Sequence, residues 1–377
     1  MSTVIIQPTV SIRQGAPVRI PLAAAGPSAG QSYDLVDEAS GERFPTQCDG
    51  ERAVIAVLGP LSGERRFRLE AVLPGADGVE VRQTAPRQVD VRIGGQLLTA
   101  YDYAPEYARP FFYPVIGPTG HSVTRDYPMK RDVPGESKDH PHHRSMWSAY
   151  GEVNGTDNWS EGENHARQVC QGEPELISGP VFGRLTARSQ WVSADGEPQL
   201  NERRSLTVYQ VGAERRLFDY EITFTASHRD VKFGDTKEGG LLSFRVASSM
   251  DASRHGRIEN SAGGVGEKEC WGKAAEWCDY SGPVAGEIVG IGVMDHPGNF
   301  RSPVHWHVRD YGLMTTNCFG DSAFAGDEGG HHGDYTLKSG QALTFRYRVL
   351  LHRGHAAEGG VAEAFAAYTH PPTVRVE

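Results

Sequence analysis

The stretch LFDYEITFT, residues 217–225, alternates without a break: Phe218, Tyr220, Ile222 and Phe224 fall on one side of an extended chain, and Asp219, Glu221 and Thr223 on the other. A period of two marks a half-buried antiparallel strand, one face in a core and one toward solvent. LTFRYRVLLH, residues 343–352, repeats the pattern: Leu343, Phe345, Tyr347, Val349 and Leu351 stand opposite Arg346, Arg348 and His352. With 45 glycines and 23 prolines spacing many such segments, the chain reads as all-β. The expected fold is a small N-terminal β-sandwich over residues 1–85, then a large antiparallel β-sandwich or supersandwich with long loops over residues 86–377. Only GGVAEAFAAYTH, near the end, reads as a short C-terminal helix.

Composition supports two units of different kinds. The first 120 residues contain neither histidine nor tryptophan, whereas the remainder carries all 15 His and all 6 Trp, so chemistry is expected in the second unit. Net charge is −10, with acids and bases interspersed. That leaves no basic face for nucleic acid or anionic lipid. There is no apolar run of bilayer length and no basic segment leading into a signal-type apolar run. A soluble, cytoplasmic protein is expected, without nucleic-acid or membrane partners; nothing in the sequence speaks to oligomeric state. Five scattered cysteines without a C-x-x-C pair fit thiols in a reducing compartment.

Three segments concentrate ionisable and aromatic residues beyond what packing requires. The first, Gly117 to Trp159, contains DHPHHRSMW at 139–147. Pro141 disfavours helix at His140, so 140–143 is expected to be extended, with His140 and His142 on one side and His143 on the other. Such a pair can share a metal, or one imidazole can move a proton while its neighbours orient it. The second segment, FGDTKEGGLLSFRVASSM, puts Asp235, Lys237 and Glu238 before a Gly-Gly step and a strand bearing Arg245. A carboxylate at a strand mouth beside cations suits a general acid or base. In the third, VHWHVRDYG projects His305, His307 and Arg309 from one strand face and Trp306 and Val308 from the other. GDEGGHHGDY, with His331 and His332, is a Gly-rich candidate rim loop. Trp147, Trp159, Trp271, Trp277 and Trp306 lie in or near these segments, and aromatic faces among polar side chains suit sugar rings.

The succession PFFYPVIGPTGHSVTRDYP, DHPHHRSMW with GEVNGTDNW, GDTKEGGLLSFRVA, WGKAAEWCDYSG and DHPGNFRSPVHWHVRDYGLMTTNCFG resembles the family labelled PmoA-like, over roughly residues 90–355. A methane-oxygenase activity does not follow, since that subunit is membrane-embedded and this chain has no span. The resemblance implies a β-sandwich related to galactose mutarotase-like supersandwiches, in which a histidine acid and a carboxylate base face each other across a sugar. Carried onto this chain, the histidine is His142 or His143 and the carboxylate Glu238, with Asp310 as the late-strand substitute. His307, Arg125 and Arg144 then hold or activate hydroxyls, and His140, Trp147, Asn154, Trp159, Lys237, Arg245, His305 and Asn317 complete the sugar-binding set.

Three functions follow from these residues. The first is a carbohydrate-active enzyme using acid–base chemistry near the anomeric centre, by hydrolysis, β-elimination or epimerisation, without a cofactor. The second is a lyase or hydrolase with a divalent metal on His140, His142 and His305 or His307. The third is a non-catalytic carbohydrate-binding protein.

Overall fold

In the computed structural model, which describes residues 3–21, 32–50, 53–73, 75, 78–325 and 332–377, the strand Arg216–Thr225 lies inside a nine-stranded sheet between Pro198–Tyr209 and Ala342–Arg353. The two alternating runs are hydrogen-bonded neighbours. Register sets Phe218 opposite Val349 and Tyr220 opposite Tyr347, all four buried, while Asp219 faces Arg348 and Glu221 faces Arg346 on the outer side. Opposite charges on facing positions support this pairing: Asp219 accepts two hydrogen bonds from Arg348, at 2.7 and 2.9 Å, and Glu221 accepts one from Arg346 at 2.9 Å.

A second, eight-stranded sheet packs over the buried face of the first. Its order is His305–Arg309, Leu313–Asn317, Gly239–Arg245, Met146–Tyr150, Phe111–Val115, Gln96–Asp102, Gln88–Ile93 and Val79–Ala85. Both sheets contribute to one continuous apolar core, including Tyr220, Phe224, Val349, Phe244, Trp306 and Met314. This is an all-β sandwich with a few short helices, as the alternation required.

A seven-stranded sheet contains the N-terminal strands and encloses a core of its own, with Val4, Ile6, Val18, Leu35 and Phe67. The division expected at residue 85 falls inside a hairpin, because Val79–Ala85 pairs with Gln88–Ile93 in the eight-stranded sheet. Val79 and Val81 are anchored there by packing on Gly183, where an added Cβ would stand 2.6 Å from both side chains. The last strand, Thr373–Val376, returns to pair with Thr3–Gln7. Before it, the helix Val361–Thr369 occupies the stretch read as helical and buries Val361 and Ala367. Among the described residues no helix is long and apolar enough to cross a membrane, and all five cysteines are free thiols.

Candidate active site

All three polar segments meet on the outer face of the eight-stranded sheet. His307, Thr315, Ser243 and Trp147 stand in register across four adjacent strands, and Arg309, Leu313 and Arg245 form the next row. The alternation turns Trp306, Val308, Phe244 and Met314 into the core, which leaves the odd-numbered His305, His307 and Arg309 outside. Strands 239–245 and 313–317 approach closely because Gly240 has no side chain. A Cβ there would lie 1.4 Å from Thr315 Oγ1.

The histidine segment is not extended. His140 adopts φ +43°, and the His143 N–H donates to the His140 carbonyl at 3.0 Å, which closes a turn with Pro141 at the position where its fixed φ is favoured. The turn gathers all three rings instead of splitting them. His143 lies between His140 (centroids 4.8 Å apart, planes 7° apart) and Trp147 (5.2 Å, 21°), and Tyr311 stacks on the far side of His140 (5.0 Å, 10°). His142 packs edge-on against His143 at 4.4 Å.

Buried arginines hold this turn. Arg125 donates to Asp139 at 2.5 Å and to the carbonyls of Tyr127, Ser137 and His140. Arg245 donates to the same Asp139 oxygen at 2.7 Å and to His143 Nδ1 at 3.2 Å. Burial raises the Asp139 carboxyl, but the Arg245 charge and the hydrogen bonds from His140, Arg125 and Ser137 outweigh it and bring the pKa down to about 2. Arg109, buried on the other side, donates to the carbonyls of His142, Asn158 and Trp159 and pairs with Glu161 at 3.1 Å.

In this setting His142, His143 and His307 are held neutral at neutral pH. Burial, with Arg109 and His140 adding repulsion, lowers His142 to about 4. Burial and the neighbouring His142 and Arg245 push His143 well below its ordinary value. Burial lowers His307 to about 4 against the attraction of Glu238. Because Arg245 can only donate, His143 accepts on Nδ1 and carries its proton on Nε2. His307 donates from Nδ1 to the Lys237 carbonyl at 2.8 Å, which leaves Nε2 as an acceptor.

Glu238 stands among these groups, half-exposed and ion-paired with Lys237. Its charge acts on His142, His307 and Tyr311. The accessible part of the site is thus Glu238, Lys237, His140, His142, Arg309 and Tyr311, with the half-buried Trp271 beside His307. His305 lies at the edge, tilted against Phe324 and 4.0 Å from Asp321.

Several expected contacts take other roles. Trp147 and Trp159 are 1% and 2% exposed and pack with Phe111 and Leu313 under the turn, so neither offers a face to a sugar. His143 is equally buried, and it orients the ring stack where His140 and His142 are the part-exposed rings. Arg125 is enclosed with its donors taken up by the turn, and Arg144 pairs with Glu161. Asn154 braces a bend, accepting from Lys232 N–H at 2.8 Å and donating to Gln199. Asn317 is buried, donating to the Thr236 carbonyl and accepting from Phe319 and Gly320 N–H. Asp310 is exposed on the turn after His305–Arg309, near Tyr280 rather than Glu238. Asp235 holds a loop by accepting from Ser322 and Gly333 N–H. His332 is exposed, and His331 lies outside the described residues.

The expected metal set does not fit a shared ion. Among the described residues no three His, Cys, Asp or Glu side chains stand where they could hold one. His140 Nδ1 points to Asp139 at 3.1 Å, and His307 Nδ1 is taken by a carbonyl.

The residues that sequence reasoning missed are Tyr311, Arg109 and Glu161. Tyr311 continues the odd-numbered series 305, 307, 309 by one step, a signal available in RDYG. Nothing local marks Arg109 and Glu161, which meet only in the folded chain.

Residues 88–366 match a family model described as a family of unknown function, DUF6807. The chain belongs to that family. The DUF6807 match includes every residue of the site, but the PmoA-like label expected from the sequence blocks is not the name it carries. No curated protein matches this chain significantly. Among solved structures, it is similar to an alpha-mannosidase from Enterococcus faecalis V583 at 10% identity and TM-score 0.45, with all of this chain and 46% of that one covered. The DUF6807 chain thus spans about half the length of that mannosidase. It is also similar to a galactose 1-epimerase from Lactobacillus acidophilus NCFM at 7% identity and TM-score 0.31, covering 74% and 100% of the two chains. A third similarity is to a GalM/aldose epimerase homologue from C. elegans, at 8% identity and TM-score 0.29, covering 74% and 99%.

Proposed function

We propose that this DUF6807 chain is a carbohydrate-active enzyme that transfers protons at or beside the anomeric centre of a small sugar or glycoside. The observation that carries this reading is the meeting of Glu238, His142 and His307 on one outer sheet face, from three separate segments. A carboxylate with two neutral imidazoles is a set of proton acceptors and hydrogen-bonding groups. Lys237 and Arg309 supply donors for hydroxyls, and the half-buried Tyr311 and Trp271 supply aromatic surface for the C–H face of a sugar ring. On this reading Glu238 is the base, His142 and His307 bind or relay, and the reaction needs no resident metal. On the same reading His142 and His307, lowered to about 4, enter as proton acceptors and not as the expected histidine acid.

The test is a panel of free aldoses and aryl glycosides, followed by NMR for anomeric exchange and for new products. Wild-type turnover that falls by about 100-fold or more in Glu238→Gln supports the reading. Turnover that survives this change, or a wild type inactive on the whole panel, sinks it.

A further inference from the structure

Resting on this acid–base reading, we propose that Tyr311 is the proton donor that works opposite Glu238. Acid–base chemistry at an anomeric centre needs a donor as well as an acceptor. The imidazoles of His142, His143 and His307 are held neutral, that of His140 is sandwiched between His143 and Tyr311 with Nδ1 turned to Asp139, guanidinium groups do not give up protons, and Lys237 is engaged with Glu238 itself. That leaves a phenol.

The setting of Tyr311 suits the task. It sits on the turn between His305–Arg309 and Leu313–Asn317, just beyond the row in which Arg309 and Arg245 flank Leu313. One face of the ring stacks on His140. The Arg245 and Arg309 guanidiniums lie 4.8 and 5.6 Å from its centroid. The ring is thereby fixed, while its hydroxyl makes no hydrogen bond among the described residues and is not enclosed. Burial, Glu238 and Asp139 raise its pKa against the pull of Arg309 and Arg245, so the phenol holds its proton in the resting protein. When that proton leaves, the same two guanidiniums face the new phenolate. Two cations already in place beside the ring favour the charge that develops on it without reorganisation.

For anomeric exchange the step balances as follows. Glu238 takes the proton from the sugar O1 hydroxyl, the O1–C1 bond becomes a carbonyl, and the C1–O5 bond breaks with its electron pair passing to O5. O5 takes the Tyr311 proton. Reclosure on the other face of the carbonyl returns both protons, with no oxidant and no co-reactant.

The experiment uses the full chain and the same aldose panel. In Tyr311→Phe we expect kcat to fall by about 100-fold or more, KM to change little, and the alkaline limb of the pH–rate profile to disappear. Lys237→Met should keep that limb. Site-specific 3,5-difluorotyrosine at 311, a more acidic phenol of nearly the same shape, should move the limb to lower pH, and it serves if the Phe variant folds poorly. An active Tyr311→Phe enzyme with its alkaline limb intact, beside an inactive Glu238→Gln, overturns the Tyr311 assignment alone. A wild type inactive on every sugar overturns the acid–base reading and the Tyr311 assignment with it.

Discussion

Replacing His142 with Gln should change how stability depends on pH. An imidazole ordinarily titrates at 6.5, and burial beside Arg109 and His140 holds His142 at about 4. Below pH 6.5 the unfolded chain takes up this proton and the folded chain does not. Stability associated with the neutral ring is therefore complete above 6.5 and is lost as pH falls toward 4. A gap of ~2.5 in pKa corresponds to about 3.4 kcal/mol at most. For a unit the size of residues 88–366, the unfolding entropy is roughly 0.6 kcal/mol per kelvin, so the loss amounts to about 5–6 °C in Tm. The assay is thermal unfolding of wild type and His142→Gln between pH 7.5 and 4, with NMR of the imidazole carbon to follow the ring directly. Relative to the variant, wild-type Tm should drop by that amount across the window. A His142 that titrates between 6 and 7, or a Tm difference independent of pH, would falsify the neutral-imidazole argument on which the assignment of base and donor stands.

Three further outcomes are expected. Trp147→Ala removes a fully buried indole packed against His143 and Trp159, and should cost about 3–5 kcal/mol in chemical denaturation; a loss under about 1 kcal/mol would show that the ring is not packed as described. His352 and Asp279 form a buried ion pair at 2.7 Å. Burial lowers the His352 pKa, but Asp279 and the Arg353 carbonyl outweigh it and raise it above its ordinary value, so the stabilisation is complete below pH 6.5 and fades as pH rises through the folded value. Asp279→Asn should abolish that fall in Tm on the alkaline side, and an unchanged profile would refute the pairing. Finally, protein purified without chelator should carry substoichiometric metal, and chelation should leave turnover unchanged; a tightly bound equivalent that activity requires would reinstate the metal-dependent alternative.

By itself the sequence determined the strands and their faces. Alternation in 217–225 and 343–352 identified two half-buried strands, which the fold makes neighbours in one sheet, and the same rule set His305, His307 and Arg309 opposite Trp306 and Val308. Period-two patterning is read directly by burial, so it survives folding unchanged. It also singled out DHPHHRSMW, KEGG and HWHVRDYG, each polar where a core strand would not be, and the fold brings these three to one sheet face.

Only the tertiary structure decided which residues in those segments are accessible on that face. The turn at His140–His143 depends on a left-handed residue and on Arg125 and Arg245 arriving from elsewhere, so the local reading of an extended chain missed it. Trp147 and Trp159 were read as a sugar platform, yet packing puts them beneath the turn. Tyr311, Arg109 and Glu161 gain their meaning from neighbours 17 to 171 positions away in the chain. Charge and burial at a site are sums over such distant neighbours, which no local window contains. DHPHHRSMW is thus a buried ring, His143, flanked by two part-exposed imidazoles, His140 and His142, with a carboxylate brought to them from the start of the next strand of the sheet.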